Sequence, residues 1–140
     1  MSNQRTLRNY AAGAAIIFGI VLFTFQLITL ILLMLGKAQE DIPALDIIYI
    51  LVHIIGGVLG SYLVARRVEE DHLQVGVVTV VMAYLFEAIY SLIFGQTLLT
   101  DMYVLGSLII GGLIGAILAK SWRIKQGLDI KDTKIITKKD

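Results

Sequence analysis

IIYILVHIIGGVLGSYLVA, residues 47–65, runs for nineteen positions without Asp, Glu, Lys or Arg and is interrupted only by His53. At 1.5 Å per residue a helix of this length reaches about 28 Å, close to the thickness of a bilayer's hydrocarbon core. A buried helix of a soluble protein would carry a polar face every 3.6 residues. This stretch has none, so its solvent is expected to be lipid.

Three further stretches read the same way. Residues 10–35 hold no ionisable group beyond Tyr10, residues 73–99 hold one acid, Glu87, and residues 102–119 hold no charge. The chain of 140 residues is 57% hydrophobic and 16% charged, with a mean hydropathy of +0.81. Soluble domains average about 25% charged residues, so the composition excludes that class. The expected fold is all-α: a single membrane domain of four antiparallel helices near 10–35, 46–66, 73–98 and 102–120, followed by a basic tail over 121–140. The first run is too long for a signal-peptide core of about 7–15 residues and is read as a helix.

The basic residues orient the chain. Arg5, Arg8, Arg66, Arg67, Lys120, Arg123, Lys125, Lys131, Lys134, Lys138 and Lys139 fall on one side, and of the 12 Lys and Arg only Lys37 falls on the other. Basic loops stay in the cytoplasm, so both termini are expected there, in a multi-pass protein of the cell membrane. Trp122, Arg123 and Lys125 read as an anchor at the headgroups.

Glycine sets the expected packing. Residues 54–63 (IIGGVLGSYL) and 109–118 (IIGGLIGAIL) agree at six of ten positions. This suggests duplication of a two-helix unit, or a coincidence within an apolar alphabet. Gly56, Gly57, Gly60, Gly111, Gly112 and Gly115 present bare backbone once per turn, where a neighbouring helix can come close. Gly13, Gly19 and Gly76, with Ala12, Ala15 and Ala83, extend small surface to the other two helices.

The chemistry rests on His53 and Glu87. His53 lies eight residues inside Leu45 and Glu87 twelve inside Leu99. Both are therefore about 12–18 Å below the outer boundary and can share a layer. Gln26 falls at a similar depth on the first helix, and Tyr84, Tyr90 and Ser91 share a face with Glu87. A lone carboxylate there would cost several kcal/mol, which pairing with His53 or protonation relieves. Two readings stay open: a group that gains and loses a proton, or a structural contact that orients two helices.

The chain has no cysteine, and it shows no nucleotide-binding glycine loop, HExxH or GxSxG motif. No catalytic residue, metal ligand set or cofactor is expected, and the protein is read as non-enzymatic. Its expected partners are the lipid bilayer and a second copy or a larger membrane complex, not nucleic acid.

The second helix, HIIGGVLGSYLVARR, and the fourth, GSLIIGGLIGAILAK, resemble those of a group of small four-helix membrane proteins found in bacteria and archaea. The resemblance covers most of residues 10–120. It implies the four-helix fold and no assigned activity, so no site residue is carried over from it. Two functions follow as expectations: an accessory or structural subunit or small homo-oligomer, or a small proton-linked transporter or channel using Glu87 and His53.

Overall fold

A computed structural model of the chain describes residues 7–39, 42–69, 71–95 and 102–126. They form four helices: α1 Leu7–Met34, α2 Leu45–Ala65, α3 His72–Phe94 and α4 Met102–Lys125. All four are long and apolar enough to cross a membrane. Their outer surfaces carry Phe23 at 70% exposure, Leu92 at 84% and Ile117 at 54%. An uncovered apolar surface of this extent has a favourable solvent only in hydrocarbon.

Two ends differ from the sequence expectation. The third helix stops at Phe94, not near residue 98, because Gly95 takes a left-handed backbone (φ 66°) and its N–H closes on the Ser91 carbonyl. Glycine enters that conformation without a Cβ clash, which makes it a common helix stop. The fourth helix does not end near 120 but continues to Lys125, past the point where hydropathy falls. Arg123 and Lys125 therefore belong to a helix rather than to a tail. The rest of that tail, from residue 127, lies outside the described residues.

The extension serves the packing. The Arg123 guanidinium donates to the carbonyls of Val68 at 2.8 Å and Arg66 at 3.4 Å. These carbonyls lie at and just beyond the end of α2, where the last turn of a helix leaves acceptors unmatched and the helix dipole favours a cation.

Apart from Gly19 and Gly106, the helix glycines face inward, and they show which helices meet. A Cβ on Gly57 would stand 3.0 Å from the Leu108 carbonyl oxygen and 3.2 Å from Gly111 Cα. One on Gly111 would collide with the Ile54 carbonyl, and one on Gly115 with that of Val58. Residue numbers rise together along this seam, so α2 and α4 run parallel, backbone against backbone. The α1–α2 contact runs antiparallel, with Gly60 against Ile17 and the Gly13 carbonyl. So does α3–α4, with Gly76 against Gly112 and Ala116. Close backbones permit weak Cα–H···O contacts of about 0.5–1 kcal/mol each, the kind of attraction available where hydrophobicity supplies none between helices.

Gly56 makes only ordinary contact, 3.5 Å to Ile17 for an added Cβ. Gly19 has nothing near it, and Ala12 and Ala15 are exposed, so this part of α1's small surface does not serve packing within the chain. Among the described residues the α2–α3 contact has no counterpart of similar extent between α4 and α1, which an exact twofold repeat would require.

Candidate functional site

α2 and α3 run antiparallel, and one hydroxyl ties them directly: Ser61 Oγ donates to the Gly76 carbonyl at 3.2 Å. Two turns along the same face of α2, His53 Nε2 stands 3.4 Å from Glu87 Oε2. Both side chains are buried, at 1% and 0% exposure. The depth count from the helix ends therefore brings together the two residues it singled out. A separation of 3.4 Å is within ion-pair reach but long for a hydrogen bond.

The other face of the imidazole fixes its protonation. His53 Nδ1 lies 2.6 Å from the Tyr49 carbonyl oxygen, four residues earlier on the same helix. A carbonyl only accepts, so Nδ1 carries a proton and donates it. Nε2 then faces the carboxyl group with one more proton to place. If that proton sits on Nε2, the pair is imidazolium and carboxylate. If it sits on Glu87, the pair is neutral imidazole and carboxylic acid. Either way the pair holds one proton and has no net charge, the state that burial favours.

The remaining sequence candidates divide. Ser91 is buried at 6% exposure, one turn beyond Glu87 on α3, and its hydroxyl has no hydrogen-bond partner. Tyr84 is half-buried against the core of Ala14, Ile17, Val80, Ala83, Val104 and Leu108. Tyr90 turns to the aromatic rings of Phe18, at 5.5 Å, and Phe94, at 4.5 Å. With Phe18, Phe86, Ile89 and Ile93 it lines an apolar cleft of about 250 Å³.

Gln26 does not join the site; it is exposed on the outer side of α1. Its neighbour Phe25 packs against Tyr49, ring centroids 5.6 Å apart, and one residue along a helix turns about 100°. Depth placed Gln26 in the layer of the pair, while azimuth points it away.

Tyr49 is the member that the sequence reading left out. Its backbone carbonyl supplies the acceptor for His53, and its own hydroxyl is buried with no hydrogen-bond partner. Its spacing of four residues before His53, on the same helical face, was the available signal.

Among the described residues no three His, Cys, Asp or Glu side chains gather as a metal site would require. His53 and Glu87 are thus each other's ionisable partners. Comparison with protein-family models, with curated proteins and with solved structures finds no match for the chain, so the site stands on its own geometry.

Proposed function

We propose that the chain is a non-enzymatic, multi-pass protein of the cell membrane, with both termini in the cytoplasm. In this reading it is an accessory or structural subunit that associates with other membrane helices, either a second copy or a larger complex. The outward stripe of α1 carries this reading. Ala12, Ala15, Gly19 and Gln26 fall within about 60° of one another on that helix, and all four are exposed. Small residues let a second helix approach, and a glutamine facing acyl chains leaves amide donors and acceptors unmatched until a partner meets them. The internal glycine seams are already occupied within the chain.

Purification from native membranes in a mild detergent, followed by native mass spectrometry, tests this. A stoichiometric partner or a dimer is expected, weakened by Gly19→Leu and by Gln26→Leu. A monomer free of any partner would contradict the reading.

A second reading has its own observation, the His53–Glu87 pair. A buried pair holding a single proton is the element that a small proton-linked transporter or channel would use, with Glu87 carrying the proton and His53 tuning it. In proteoliposomes that reading requires a pH-dependent flux that Glu87→Gln abolishes. Unchanged flux in the variant would remove it.

A further inference from the structure

Three polar atoms in the layer around the pair are buried with neither a hydrogen bond nor an ion pair: the Tyr49 hydroxyl, Glu87 Oε1 and the Ser91 hydroxyl; His53 Nε2 and Glu87 Oε2 have only each other, at 3.4 Å. In a folded protein such orphans are few and ask for an explanation. Their placement supplies one. Tyr49 precedes His53 by four residues and Ser91 follows Glu87 by four. Because α2 and α3 are antiparallel, both residues sit one turn from the pair, a rise of about 6 Å along their helices, towards the same end of the molecule. This is the end where α2 begins and α3 finishes. Asp46, three residues before Tyr49 and seven before His53, is exposed there on the same face of α2. A surface carboxylate, a phenol and an imidazole thus follow one another along one helical face.

Towards the opposite end the surroundings of the pair are closely packed. Gly57, one turn beyond His53, is pressed against the backbone of Leu108 and Gly111. Ala83, one turn before Glu87, is fully buried. The next hydroxyls, Ser61 and Thr79, already donate to the carbonyls of Gly76 and Val75. The hydroxyls next along the row are thus already committed.

We propose that Asp46, Tyr49, His53, Glu87 and Ser91 form a proton-binding site that opens to one side of the membrane only, the side on which Asp46 lies. A proton collected at Asp46 reaches Glu87 through water that bridges the Tyr49 and Ser91 hydroxyls, which do not bond to the carboxyl group or to each other directly. One proton then leaves by the same route, so the pair returns to its neutral one-proton state. Among the described residues the other elements packed around the pair add no acid or base. α1 presents Ile17, Val21 and Phe25, and α4 presents Val104, Leu108 and Ser107, whose hydroxyl is bonded to the Val104 carbonyl. On α3, Tyr84 and Tyr90 flank Glu87, with Tyr90 held in its aromatic contacts. The proposal shares with the transport reading only the premise that Glu87 exchanges its proton; it does not require a proton to cross.

The test is the rate at which the His53 ring N–H exchanges with D2O, followed by nitrogen-15 NMR on full-length protein labelled at histidine. Tyr49→Phe keeps the ring stacked on Phe25 and removes only the hydroxyl. With Ser91→Ala and Asp46→Asn, it should slow exchange, the combined variant by about tenfold or more. Ser61→Ala and Thr79→Val, on the closed side, should leave the rate unchanged, and helical content by circular dichroism confirms folding in each case. Equal slowing by the closed-side variants, or no slowing by the open-side set, would overturn the proposal. Exchange that follows this pattern in a protein showing no proton flux would remove the transport reading and leave the one-sided site standing.

Discussion

Gly57 and Gly111 meet with no side chain between them: a Cβ built on Gly111 would lie 3.1 Å from Gly57 Cα, tighter than ordinary van der Waals contact. This seam holds α2 at α4, one turn along α2 from His53.

Gly111→Ala should accordingly destabilise the protein by about 2–3 kcal/mol, since the methyl group runs into the Ile54 carbonyl and backbone must shift. Gly19→Ala and Gly106→Ala meet nothing and should be neutral or stabilising by up to about 1 kcal/mol through helix propensity. Unfolding midpoints in detergent compare the three. Equal effects would show that the seam is not close-packed.

Arg123 should behave as a structural cap, not merely as a headgroup anchor. Arg123→Ala removes donors from the carbonyls of Val68 and Arg66 and should cost about 1–2 kcal/mol. Hydrogen exchange should also quicken at the end of α2. Lys125→Ala, at the last position of α4, should do neither.

Orientation can be read directly because the chain has no cysteine of its own. A single Lys37→Cys variant should react with a membrane-impermeant maleimide in intact cells. Lys125→Cys should react only after permeabilisation. The reverse pattern would invert the proposed topology.

Much of this architecture was legible in the sequence, for physical reasons. Hydrocarbon demands long uncharged helices, so four of them could be read from hydropathy alone. It also penalises isolated ionisable groups, so a count of residues from the helix ends was enough to bring His53 and Glu87 into one layer. Azimuth was less accessible. Gln26 shares that depth and points outward, because the rotation of α1 is set by Phe25 and Tyr49. The α2–α4 seam was also hidden: glycine spacing reveals a face that can be approached, not which helix approaches it. The extension of α4 escaped hydropathy because its last turns are held by Arg123 on α2 rather than by apolar burial.

The direct test of the account is a double-mutant cycle between His53→Leu and Glu87→Leu, read as unfolding free energy in detergent or bicelles. Each single change leaves the other partner buried alone and should cost about 3–5 kcal/mol. The double variant should recover a large part of that loss, giving a coupling energy of at least about 1 kcal/mol. Strictly additive losses would mean that the two side chains do not meet in the membrane, and would contradict the site.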